Sequence, residues 1–128
     1  MKIFKSTILP IFAATIWISI SEFIRNELLF KSYWINHYQN LGLKFPSDAI
    51  NGIVWGVWSL CFAITIFILS KKYYLFQTFL FSFFIGFVMM WLVIGNLGVL
   101  PYQLLLFAIP LALIESFVAS YIIKKLKL

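Results

Sequence analysis

Apolar residues run almost unbroken through four stretches of the chain, at residues 3–23, 49–69, 75–94 and 100–123. Each has about 20 residues, the length a helix needs to cross a hydrocarbon core of about 30 Å. Polar and charged residues fall mainly between them. The pattern predicts an all-α fold, a polytopic membrane protein built as an antiparallel bundle of four transmembrane helices and forming a single domain over residues 1–128. The connections near 71–74 and 95–101 are short, so the helices they join should be antiparallel neighbours. The segment 24–47 is the one substantial piece predicted outside the membrane. Within it Phe30, Trp34, Tyr38 and Leu41 share a helical face, Glu27 and Lys31 form an i,i+4 pair, and Gly42 and Pro46 mark a break. This predicts a helix that continues past the membrane surface or lies along it, with aromatic side chains at headgroup level.

Small residues recur along each apolar stretch. Gly52 and Gly56 have Gly-x-x-x-Gly spacing, continued by Ser59 and Ala63. Thr78, Ser82 and Gly86 mark the third stretch, and Ala108, Ala112, Ser116 and Ala119 the fourth. Thr15, Ser19, Glu22 and Asn26 mark the first. Lipid tails are as apolar as leucine, so close backbone approach at small residues drives helix association in a bilayer. These faces are therefore expected to meet, leaving Phe79, Phe83, Phe84 and Phe87 mostly to face lipid or fill gaps.

Composition removes the soluble alternatives. Charged residues make up 11% of the chain, against about 25% in a soluble domain. The net charge of +6 does not point to nucleic acid, because the basic residues cluster at the ends of the apolar stretches. Lys2, Lys5, Lys71, Lys72, Lys124, Lys125 and Lys127 fall on one side of the bundle, and Arg25, Lys31 and Lys44 on the other. The positive-inside rule then puts both termini in the cytoplasm. The partners implied are the lipid bilayer and anionic headgroups at its cytoplasmic face. The first stretch has the basic start of a signal peptide, but Ser21-Glu22-Phe23-Ile24-Arg25-Asn26 offers no cleavage site, so it is expected to be a retained helix. The lone Cys61 reads as a small buried hydrophobe.

Glu115 is the sharpest candidate for chemistry. It lies within the fourth stretch, about 12 Å from that helix's cytoplasmic end. It shares a face with Ala108, Ala112, Ser116 and Ala119, and Pro110 upstream favours a kink. Intramembrane carboxyls are costly and usually face a bundle interior or a cavity. No Lys or Arg lies at matching depth, and Thr15, Thr65 and Ser82 are the expected neighbours. Glu115 thus reads as an ion- or proton-binding group in a transport path, or as a protonated carboxyl that holds helices together. A second constellation falls at the predicted outer ends of the helices. Glu22, Arg25, Asn26, Asn51 and Asn96, with Gln103, are expected to form an outer polar pocket walled by Trp55 and Trp58 that takes a headgroup or a small amphiphile, or else to be ordinary interfacial caps. Glu22 is expected about 15–20 Å from Glu115 in depth. His37 stands alone, too few ligands for a metal. No catalytic triad, phosphate-cradling glycine loop or cofactor motif is present.

The run Glu27-Leu28-Leu29-Phe30-Lys31-Ser32-Tyr33-Trp34 resembles a family of small four-helix bacterial inner-membrane proteins of unknown function, in which the first helix leads into a Leu-Leu-Phe-x-x-x-Trp segment. Leu28, Leu29, Phe30 and Trp34 match that spacing; Arg25, Asn26 and Glu27 depart from it. The resemblance implies a bacterial inner membrane and carries over no activity. Three functions remain open at this level. One is a small transporter or channel-like homo-oligomer using Glu115. The second is an accessory subunit docked on a larger membrane protein. The third is an interfacial lipid-modifying enzyme using Glu22, Arg25 or His37, the least supported for want of a cluster of acids or histidines.

Overall fold

The structure, a computed structural model, describes residues 1–127. Five helices succeed one another: α1 (Phe4–Leu29), α2 (Lys31–Asn40), α3 (Ala49–Ser70), α4 (Leu75–Asn96) and α5 (Tyr102–Leu126). All but α2 are long and apolar enough to cross a membrane, the make-up of a multi-pass membrane protein. No strand occurs among the described residues.

Local chemistry explains where the helices stop. α1 does not end at Phe23 as its charges suggest. It continues to Leu29 through a wide turn, in which the Phe30 amide donates to the Arg25 carbonyl five residues back at 2.9 Å. Phe30 then leaves the helix (φ −114°, ψ 7°), and the chain restarts as α2. Gly42, at φ +74°, supplies the left-handed residue that ends α2. The Asp48 amide donates to Asn51 Oδ1 (2.9 Å) and the Tyr74 amide to Gln77 Oε1 (3.1 Å), side-chain bonds that tie down the first turns of α3 and α4.

α1 packs on α3 and α5, α4 packs on the same two, and α3 and α5 touch. Their shared core is built from Ala14, Ile18, Phe62, Ile66, Phe87 and Ala112. A second apolar cluster, Phe30, Leu100, Leu104 and Ala108, fastens the start of α2 to the start of α5. The stripes on α4 and α5 are buried: Thr78, Ser82, Gly86, Ala108, Ala112, Ser116 and Ala119 all face inward. A side chain at Gly86 would overlap the Phe62 ring, so this glycine sets how closely α4 approaches α3.

The structure corrects two expectations. Gly52 and Gly56 do not mediate a helix contact; both are exposed, with nothing within 4 Å of where a side chain would be. The spacing correctly defines a face, but α3 turns only its lower half, Ser59 and Ala63 onward, into the core. Cys61 is exposed rather than buried, because it lies off that inward face. Of the phenylalanines expected to face lipid or fill gaps, Phe84 is exposed and Phe87 fills the centre of the molecule.

At the end holding the chain's last residues, Lys124 Nζ and Lys127 Nζ donate to the Ser70 carbonyl at 2.8 and 2.6 Å. They cap the C-terminus of α3, where the helix dipole favours cations. Burial, then the neighbouring Lys124 and Lys71, push the Lys127 ammonium below its ordinary pKa.

Candidate functional site

Glu115 is completely buried, and it is not alone. Ser21 Oγ donates to Glu115 Oε1 at 2.6 Å, and Arg25 Nη1 lies 3.6 Å from the same oxygen, an ion pair just beyond hydrogen-bond reach. Arg25 Nη2 donates to Glu22 Oε2. Asn26 Nδ2 reaches that oxygen at 3.0 Å, and Asn26 Oδ1 accepts the Trp34 indole N–H at 3.1 Å. A continuous polar chain therefore runs from α5 through α1 to α2. The Trp17 indole adds a bond to the Glu115 main-chain carbonyl at 3.0 Å.

Glu22 and Arg25, only 3% and 6% exposed, are as secluded as Glu115. The guanidinium sits over the Phe87 ring, 4.9 Å from its centroid, so its apolar side is covered as well. Arg25 and Phe87 each lie within a wide helical turn, Ile24–Leu29 and Phe84–Val88. Such turns interrupt the regular helical ladder and recur at functional sites. Glu22 Oε1 and Glu115 Oε2 make no hydrogen bond, although both are buried. Arg25 Nη1 is likewise buried without a hydrogen bond, and the Glu22 and Glu115 carboxyls lie against each other; with both ionised the trio carries one excess negative charge.

The expectation that Glu115 lacks a cation at its depth is thus overturned, as is its separation from Glu22. Both rested on ending α1 at Phe23. With the helix continuing to Leu29, Glu22 and Arg25 lie about 10 and 6 Å inside its end at 1.5 Å per residue, level with Glu115. The expected neighbours are elsewhere engaged: Thr15, Thr65 and Ser82 each bond a carbonyl of their own helix. Ser21, Trp17 and Phe87 were missed as members of the cluster. The signal was available in part, since Ile24, Leu28 and Leu29 prolong the apolar pattern beyond Arg25.

Two cavities open beside the cluster. One, of about 300 Å³, is lined by Arg25, Asn26, Trp34, Tyr38, Trp55 and Trp91 among others. The other, of about 310 Å³, is lined by Glu22, Glu27, Asp48, Asn51, Phe23 and Trp55 among others. Asn26, Asn51, Phe45 and Trp55 border both. Of the expected outer pocket, Glu22, Arg25, Asn26 and Asn51 do come together around these spaces with Trp55. Asn96 is exposed at the end of α4 and Gln103 at the start of α5, and neither lines either cavity. Trp58 stacks on Phe62 in the core instead. The helix α2 folds over the first cavity. Phe45 stacks on Trp34 and meets Tyr38 edge-on, and His37 Nε2–H donates to the Gly98 carbonyl at 2.7 Å. His37 thus pins α2 to the α4–α5 turn. No group of three His, Cys, Asp or Glu side chains capable of holding a metal occurs among the described residues.

Comparison with protein-family models, curated proteins and solved structures returns no match.

Proposed function

We propose that the chain is a small membrane transporter or channel-like protein in which Glu115, coupled to Arg25 and Glu22, binds a proton or another monovalent cation on its path. In this reading the four long helices insert as an antiparallel bundle with both termini cytoplasmic, in a bacterial inner membrane, and anionic headgroups meet the lysines of that face. The observation that carries it is the imbalance of two carboxyls and one guanidinium, all buried among apolar helices, with Arg25 bordering one cavity and Glu22 another. A purely structural link would be better served by a balanced pair, since a buried excess charge is costly. Four helices rarely enclose a complete path, so the working unit is expected to be an oligomer.

The test is flux in proteoliposomes under an imposed pH gradient. Glu115→Gln keeps size and hydrogen bonding, so folding should survive while pH-coupled flux is lost. Unchanged flux in that variant would refute the reading. A second reading, an accessory subunit of a larger complex, is favoured by one feature. Gly52 and Gly56 lie on an open apolar face beside a groove between α1 and α3 of about 540 Å³, ready-made for another transmembrane helix. It predicts a stoichiometric partner and no flux from the isolated chain.

A further inference from the structure

The buried trio leaves two acceptors unused and one charge unbalanced. Glu115 Oε1 accepts the Ser21 hydroxyl and faces Arg25, while Glu22 Oε2 accepts Arg25 and Asn26. The oxygen each carboxyl has left, Glu115 Oε2 and Glu22 Oε1, meets no donor and is sealed from the surface. The two carboxyls lie within hydrogen-bond reach of each other where α1 packs on α5. Two ionised carboxyls in contact can only accept, so like charges meet there without a bond. No other charged group faces the pair. α3 and α4 carry no Asp, Glu, Lys, Arg or His, and from α4 it is the Phe87 ring that covers the guanidinium. Ser21, Asn26 and Trp17, the other partners on α1, are neutral. α2 reaches the chain through Trp34, its Lys31 being paired with Glu27. Lys44 and Asp48 are exposed on the connecting segment. The lysines of α5 begin at Lys124, about 14 Å along the helix from Glu115. The imbalance is therefore settled inside the trio, and an excess charge at such a place is costly.

We infer that a single proton is held in common by Glu22 Oε1 and Glu115 Oε2 and ties α1 to α5. It turns one of two facing acceptors into a donor, gives both orphan oxygens their bond, and brings two carboxyls and one guanidinium to zero net charge. The proton belongs to the pair and to neither residue alone. This deepens the transport reading by naming the cation as H+ and making Glu22 an equal partner of Glu115; what the proton does rests on that reading, and where it sits does not. A proton fits between two oxygens in contact, whereas a metal ion would have to part them. Departure of the proton to water leaves two carboxylates and one guanidinium, with like charges touching across the α1–α5 contact. Release of the proton is thus also the event that loosens these two helices from each other.

The experiment is difference infrared spectroscopy of the full-length protein at neutral pH in dodecyl maltoside micelles, which add no carbonyl of their own, read at the carboxylic-acid C=O stretch. The wild type is expected to show one such band. Glu22→Gln and Glu115→Gln should each abolish it, because either variant leaves one carboxylate balanced by Arg25 with no need of a proton. Both keep side-chain size and remove the excess charge, so both should fold. Glu27→Gln and Asp48→Asn, outside the pair, should leave the band unchanged. Survival of the band in Glu22→Gln would put the proton on Glu115 alone, and survival in Glu115→Gln would put it on Glu22 alone; either result overturns the shared site. Absence of the band from the wild type, or its loss when Na+ or K+ is raised at constant pH, would overturn it as well, and these two readings need no variant to fold. Because no flux is measured, loss of the shared proton leaves Glu115-dependent transport of another cation standing. Conversely, flux unchanged by Glu115→Gln removes the transport reading while leaving the proton in place.

Discussion

Among the described residues Arg25 is the only cation in contact with two buried carboxylates, and its removal should be the most damaging single change in the cluster. Arg25→Leu would leave Glu22 and Glu115 facing each other without a counter-charge. Removing one partner of a buried ion pair typically costs about 3–5 kcal/mol, whereas removing both is far milder. The single variant is therefore expected to unfold well below the wild type in detergent micelles, and the double variant Glu22→Leu/Arg25→Leu, which still leaves Glu115 buried without its cation, should recover part of the loss. If single and double variants melt together, Arg25 is not the neutralising group its position implies. Serine and tryptophan contribute more modestly. The Ser21 hydroxyl and the Trp17 indole each fix one atom of Glu115, the first a carboxylate oxygen and the second the main chain. Together they aim the carboxyl at Arg25.

Two glycines at matching places in the sequence pattern have opposite roles in the helices that carry them. Gly86 has the Phe62 ring against it, and that ring is held between Trp58 and Phe87. Gly86→Ala is expected to cost about 1–3 kcal/mol by overpacking. Gly56 faces open space, and Gly56→Ala should be neutral or stabilise the isolated chain, by up to about 1 kcal/mol from helix propensity alone. Thermal unfolding of the two variants side by side checks the contrast. A Gly56→Ala variant that folds normally but loses an oligomer or a partner would favour the docking role of that face. The α2 helix depends on a different bond. His37→Ala removes its link to Gly98, worth about 1 kcal/mol. Faster amide exchange across residues 31–40, with α3 to α5 unchanged, is the expected signature.

The long helices were legible because each is a run of apolar residues closed by turn chemistry, and the ends read for residues 49–69 and 75–94 fall within two residues of those observed. The end of α1 was not legible in the same way. Glu22, Arg25 and Glu27 look like a water-facing boundary when each charge is considered singly, yet two of them neutralise one another inside. Spacing along one helix places side chains on a face, and it is silent about which other helix brings the complement. For the same reason the sequence pointed to Glu115 and to Glu22 separately, and only their three-dimensional meeting makes one site. The face holding Gly52 and Gly56 failed in the opposite sense, as a contact motif with no contact inside this chain. The proposed orientation is open to a direct check. In a Cys61→Ser background, Lys2→Cys and Lys125→Cys should react with an impermeant maleimide only from the cytoplasmic side, and Gln39→Cys only from the other. Labelling of Lys125→Cys from outside would reverse the topology.

The four long helices are not equal. α1 and α5 have 26 and 25 residues, while α3 and α4 have 22 each. At 1.5 Å per residue this is about 39 and 38 Å against about 33 Å. If the helices insert as proposed, a hydrocarbon core of about 30 Å suits the shorter pair, and the longer pair must tilt or stretch the lipid around it. Those two helices carry Glu22, Arg25 and Glu115. In that setting bilayer thickness would strain most the pair whose relative slide sets the distance between guanidinium and carboxylate, and acyl-chain length would become a control on the charge cluster that no residue of the chain supplies.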